Sequence, residues 1–99
     1  MNQTRVVNMR KDPYDVSIDR DTKWGNPYSH KPGTRAKYIV STRAEAIQKY
    51  EEWIRTQPDL MAQLPELDGK VLGCHCKPKA CHGDVLVKLI EDSKRWILE

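Results

Sequence analysis

The chain contains no phenylalanine and only five glycines. Large core residues must therefore come from the Leu, Ile and Val set with the tryptophans and tyrosines. At 99 residues such a core is single and modest, so a ligand, metal or partner chain has room to add stability. Apolar runs are short. None approaches the roughly 20 residues that span a bilayer, and the first residues, MNQTRVVNMRKD, lack the apolar middle of a secretory signal. A cytoplasmic location without membrane contact is the expectation. Cysteine is scarce and odd in number, which argues against a disulfide framework. A dense basic stripe is also missing. The net charge of +3 fits a phosphate-bearing partner as well as an ordinary solvated surface.

What is present is concentrated. The three cysteines and two of the three histidines fall within residues 74–82, in the stretch KVLGCHCKPKACHGDVL. The chain before it reads as alternating elements. TRVVNM (4–9) and YDVSI (14–18) have strand character, the second with Tyr14, Val16 and Ile18 on one face. Residues 19–32 hold Gly25, Asn26-Pro27 and Pro32, which turn chemistry dominates and which no regular element is expected to cross. AKYIV (36–40) is a short strand or the lead-in to a helix. Thr42-x-x-Glu45 is a capping box, and Ile47, Tyr50 and Ile54 behind it predict a helix over 43–55. PDLMAQLP is a short helical turn between two prolines. Residues 70–76 then read as a buried strand and 85–90 as a helix, which Trp96 and Ile97 could close. One α/β domain over 1–99 follows, a small layered sheet with flanking helices, Rossmann-like in its last strand-turn-helix.

Two stretches carry chemistry. Lys23-Trp24-Gly25-Asn26-Pro27 sets a cation, an aromatic face and an amide in one turn, able to stack on and hydrogen-bond a base or sugar. The alternative is that Trp24 plugs the core edge while Asn26 caps a turn. In the cysteine stretch three readings compete. In the first, the loop lies beyond the carboxyl end of a strand, where open α/β sheets bind ligands. A helix N-terminus, Lys77 and Lys79 would attract an anion, and Gly83 would allow close backbone approach. His82 would serve as acid or base. Cys81, with its pKa lowered by the helix start and the lysines, would serve as nucleophile. Asp84 also has a simpler role, as an acid in the first helical turn. In the second reading Cys74, Cys76, Cys81 and His82 (or His75) hold zinc, although C-x-C-x4-C is not the usual pair of C-x2-C steps. In the third the cysteines are small buried hydrophobes. His30, flanked by proline, reads as a surface residue.

KWGNP, Gly33-Thr34-Arg35, the Glu45–Tyr50–Trp53 helix, LDGK (67–70) and CxCKPxxCHGD occur in that order. Together they resemble the domain-of-unknown-function family 4326 of bacteria and bacteriophages, from Val6 to Leu89. Where that family usually has tryptophan between the first two cysteines, this chain has His75. The resemblance implies one α/β domain with both motifs converging on a site, and it supplies no reaction.

The combined expectation is binding of a nucleotide, nucleoside or related phosphate-bearing molecule, with turnover left open and no cofactor required. Trp24 and Asn26 would contact base or sugar, beside the Lys23 cation. Arg35, Lys77, Gly83 and Asp84 would hold the anionic end, with Cys81 and His82 as candidates for chemistry. The alternatives are a zinc-stabilised module binding nucleic acid or protein, and a phage accessory protein that sequesters a signalling nucleotide.

Overall fold

The β-branched run of Arg5–Asn8 forms β1, and Val16–Ser17 and Val71–Cys74 form β2 and β5. All three run parallel in the order β1-β5-β2. The computed structural model describes residues 4–19, 22–29, 38–75, 77 and 79–98, with backbone alone from 94 onward. Two short strands, β3 (Tyr28–Ser29) and β4 (Tyr38–Ile39), make a second parallel pair, with the Tyr28 and Tyr38 rings stacked 5.0 Å apart. The helices are α1 (Arg43–Arg55), α2 (Pro58–Gln63), continued by a 3-10 turn at Leu64–Leu67, and α3 (Gly83–Leu98). The architecture is α/β, and among the described residues no helix is long and apolar enough to cross a membrane.

Register decides which face is buried. Val6, Leu72 and Val16 stand side by side, as do Asn8 and Cys74, and alternation puts these on one face of the sheet. Leu72, Cys74 and Ile18 on that face are fully buried with Val85, Leu86, Leu89 and Ile90 of α3. Gly73 faces the other way. The segment joining β1 to β2 crosses there, and a Cβ on Gly73 would come within 2.7 Å of the Tyr14 ring. Tyr14 therefore does not share a face with Val16 and Ile18, as simple alternation predicts. Its ring fills the space Gly73 leaves, while Asp15 pairs with both backbone groups of Val71, at 2.8 Å each.

The capping box of α1 is present: Thr42 Oγ1 accepts from Glu45 N at 3.1 Å, and Glu45 reaches back to Ser41 N at 2.9 Å. Ala46, Tyr50 and Ile54 form the buried stripe, spaced four apart, with Ile47 only packed against its edge. Two expectations need amending. The 19–32 segment does contain a ladder, at Tyr28–Ser29, because Tyr38 N and Val40 N donate to Pro27 O and Ser29 O. The last helix starts two residues before Val85, at Gly83, and runs to Leu98, past Trp96 and Ile97.

Candidate functional site

The parallel strands end together at one edge, and side chains there tie their loops to each other. Asn8, the last residue of β1, donates from Nδ2 to Lys77 O at 2.8 Å and accepts Arg10 N on Oδ1 at 2.9 Å. Met9 N donates to Cys74 O at 2.9 Å. Arg43, at the start of α1, reaches Ala80 O at 3.4 Å. Beside β2, Asp19 lies 3.4 Å from His75 Nε2, and His75 is exposed at the surface. The result is a loop cluster in which the Arg43 guanidinium, the Lys77 ammonium and the Arg10 backbone meet around the ends of β1 and β5, with Lys79 two residues further along the Lys77 loop.

The start of α3 closes this edge and is already self-satisfied. Asp84 Oδ2 accepts Cys81 N at 3.2 Å while Asp84 N donates to Cys81 O at 3.0 Å. The Asp84 carboxylate thus supplies one side-chain half of a capping box, to the N–H of Cys81. The other carboxylate oxygen takes Lys77 Nζ at 2.6 Å. Burial works against the Lys77 charge, but the hydrogen bond and charge of Asp84 outweigh it, leaving the pKa raised. Gly83 is needed for packing. A Cβ there would meet Ile18 Cδ1 at 2.7 Å and Val6 Cγ2 at 2.9 Å, so the helix start rests directly on the sheet.

Behind this edge lies a buried polar group of side chains. Cys74 Sγ and Cys81 Sγ are 3.3 Å apart, both thiols reduced and almost wholly buried. The hydrogen bond to Cys74 and then burial push the Cys81 pKa well up, against a smaller opposing pull from the Gly83 N–H. The lowered pKa expected from its position at a helix start is therefore corrected: Cys81 is a protonated thiol at neutral pH. His82 is buried with Nε2 donating to Ile18 O at 2.6 Å, which fixes a proton on that nitrogen. Its ring edge meets Tyr50 at 5.0 Å between centroids. Tyr50, wholly buried, donates its hydroxyl to Trp24 O at 2.7 Å. Burial, followed by the nearby Cys81, pushes its pKa far above the ordinary range.

The KWGNP turn and the cysteine stretch do meet, through Tyr50. Within that turn, however, the aromatic and amide groups point inward, while Lys23 is exposed. Trp24 is 2% exposed in the core. Asn26 is buried, donating to Ala46 O at 3.1 Å and accepting Tyr28 N at 2.9 Å, so it joins α1 to β3. Lys23 lies over the Trp24 ring, 5.4 Å from its centroid, and pairs with Gln63 and Glu66. These placements match the core-plug and turn-cap alternative. Arg35, Cys76 and His30 lie outside the described residues. Among the described residues no three His, Cys, Asp or Glu side chains gather as a metal would need. Of the zinc set, Cys74 and Cys81 adjoin each other and His82 uses Nε2 on Ile18 O.

Sequence reasoning missed three contributors. Asn8 sits within a strand pattern, where a polar residue ending a half-buried strand is the signal for a loop anchor. The Asp19–His75 pair spans residues whose proximity only the sheet order creates. Tyr50 was read as one apolar member of a helical stripe, and its buried hydroxyl needed a partner.

A family model for a domain of unknown function, DUF4326, matches residues 1–92. The chain is 38% identical over 86 residues to an uncharacterised 12.4 kDa protein in the nrdA–td intergenic region of Enterobacteria phage T4. That match covers 87% of this chain and 76% of the phage protein. It is 32% identical over 77 residues to an uncharacterised protein of Acanthamoeba polyphaga mimivirus, covering 70% of this chain and 53% of the mimivirus protein. No solved structure matches.

Proposed function

The chain belongs to the DUF4326 family, and from that premise we propose that it binds a small phosphate-bearing molecule, a nucleotide or a close relative, at the carboxyl edge of the parallel sheet. One observation carries the reading. Asn8 on Lys77 O and Arg43 on Ala80 O tie the loop after β5 to the end of β1 and the start of α1, which brings the Arg43 and Lys77 cations to one edge. Ligands of open α/β sheets bind beyond the strand ends, and Arg43, held on Ala80 O, and Lys77, held on Asp84, are cations there that suit phosphate oxygens. Lys77 is now neutralised by Asp84, so an arriving phosphate takes the place of that carboxylate.

In this proposal the KWGNP residues act from below. Trp24 and Asn26 brace Tyr50 and the first turn of α1, and Lys23 closes the flank against Glu66. His75 and Asp19 stand at the exposed rim, where a base or sugar would sit.

The test is a thermal-shift screen with nucleoside mono-, di- and triphosphates, pyrophosphate and inorganic phosphate, followed by calorimetry on any hit. The proposal expects stabilisation by at least one nucleoside phosphate. It further expects Lys77→Met to weaken that binding by about tenfold or more, the value of one charge-assisted hydrogen bond. Asp84→Asn should strengthen it, because the competing carboxylate charge is gone. A panel with no hit, or a hit indifferent to both substitutions, overturns the reading.

A further inference from the structure

Cys74 and Cys81 take no part in the ligand reading, yet their arrangement is specific. One is the last residue of β5 and the other is the cap of α3, with sulfurs 3.3 Å apart inside the core. A disulfide is about 2.05 Å long, so the sulfurs have only about 1.2 Å left to close. Buried cysteines that serve only as small hydrophobes have no need to face one another across two elements. We propose that Cys74 and Cys81 are a reversible dithiol–disulfide pair, a modification site that ties the end of the central strand to the start of α3.

The oxidant class is a low-molecular-weight disulfide. One protein thiol loses its proton and attacks a sulfur of the reagent, giving a mixed disulfide and one released thiolate, which takes up a proton. The second protein thiol, also deprotonated, attacks the protein sulfur of that mixed disulfide. It forms the Cys74–Cys81 bond and expels the second reagent thiolate. Two electrons pass from the protein dithiol to the reagent, which leaves as two thiols. A dithiol reductant reverses the sequence.

Burial sets the rate. Both sulfurs are at most 2% exposed, and the Cys81 thiol is held protonated by its partner and by burial. The reagent gains access only when the start of α3 lifts from Val6 and Ile18. Oxidation is therefore slow, and its rate levels off as reagent concentration rises.

Sequence makes the product easy to read. Trypsin separates residues 71–79, which hold Cys74 and Cys76, from residues 80–88, which hold Cys81, because Lys77 is followed by Pro78. The folded full-length protein is incubated with oxidised glutathione, its remaining thiols are alkylated in denaturant, and it is digested without reductant. The proposal expects the two peptides joined and lighter than their sum by two hydrogens. The link must persist in Cys76→Ser, vanish in Cys74→Ala and Cys81→Ala, and reverse with dithiothreitol. The wild-type digest stands even if a buried variant folds poorly. A link made through Cys76, or three alkylated thiols after prolonged oxidation of folded protein, would overturn the proposal. So would thiols that resist oxidation until a chelator has stripped one equivalent of zinc.

Discussion

Replacing Gly83 by alanine adds one methyl group where α3 meets the sheet. That methyl would lie 2.7 Å from Ile18 Cδ1, 2.9 Å from Val6 Cγ2 and 3.0 Å from Val6 Cγ1. Carbon atoms prefer about 3.5–4.0 Å, so three contacts are violated at once. The neighbours have little room to retreat. Ile18 is wholly buried, and Val6 is β-branched with a stiff χ1. Overpacking of this kind costs about 1–3 kcal/mol. Alanine recovers at most about 1 kcal/mol of helix propensity over glycine, and less at a helix end. The net expectation is a destabilisation of about 1–2 kcal/mol. For a domain of this size that corresponds to a fall in Tm of roughly 4–16 °C.

Urea unfolding at equilibrium measures this, with a lower midpoint and an unchanged m-value. A double-mutant cycle identifies the cause. Ile18→Val removes Cδ1, the nearest atom, and gives the new methyl somewhere to go. The cost of Gly83→Ala in that background should shrink by at least about 0.5 kcal/mol, the usual coupling of residues in contact. If Gly83→Ala is neutral or stabilising, or strictly additive with Ile18→Val, the close seating of α3 on β1 and β2 is wrong. The glycine would then serve some other purpose, such as approach of a ligand.

Tyr50→Phe leaves Trp24 O without the hydroxyl it accepts from at 2.7 Å. It should cost about 1–3 kcal/mol in urea unfolding, and a change below half of that would remove Tyr50 as the brace of the KWGNP turn. Stability should be level near neutrality and decline as pH rises above about 9. The folded state holds the Cys81 and Tyr50 protons far above their ordinary values, so the unfolded chain releases protons first. Each group contributes up to about 1.4 kcal/mol per pH unit, and Tyr50→Phe should flatten the decline above pH 10. A profile still level at pH 11 would refute the burial of both groups. Lys77→Met should change stability by less than about 1 kcal/mol, because the Lys77–Asp84 pair is partly exposed. Its loss of ligand affinity is then not a loss of fold.

How much of this could be read from the chain depends on whether the deciding contact is local. Thr42 and Glu45 announce α1 because capping is settled within one helical turn. Pro58 starts the short helical segment for the same reason, whereas Pro65 falls inside the 3-10 turn that continues it to Leu67. Tyr14 misled because alternation is a rule about ladders, and Tyr14 sits outside the ladder on a surface that Gly73, far along the chain, leaves vacant. The Cys81 pKa misled similarly. Helix start and lysines are visible in sequence, but the partner that dominates, Cys74, enters only once β5 and the cap of α3 are placed together. For Trp24 and Asn26 the sequence offered ligand contact and core packing as equals. Burial of both side chains, with the Trp24 carbonyl held by Tyr50 and the Asn26 amide by Ala46 and Tyr28, places them on the packing side.

Strand alternation also divides the cysteine stretch into two sets with different work. Cys74 points into the core and His75, the next residue, points out toward Asp19. After the turn the division repeats, with Cys81 and His82 buried and Lys77 and Asp84 at the surface. Among the described residues a soluble ligand reaches only the outward set, which consists of cations, an imidazole and carboxylates and holds no thiol. Chemistry at Cys74 or Cys81 would have to lift α3, breaking the Asp84 cap and the seat of Gly83 together. The two proposals, ligand recognition and thiol chemistry, thus fall on opposite faces of one short segment. A phosphate that draws Lys77 away from Asp84 weakens the cap over Cys81, and so couples the two faces. If that coupling holds, any nucleoside phosphate that binds at Lys77 should speed glutathione oxidation of the Cys74–Cys81 pair. An unchanged oxidation rate at saturating ligand would make the two faces independent.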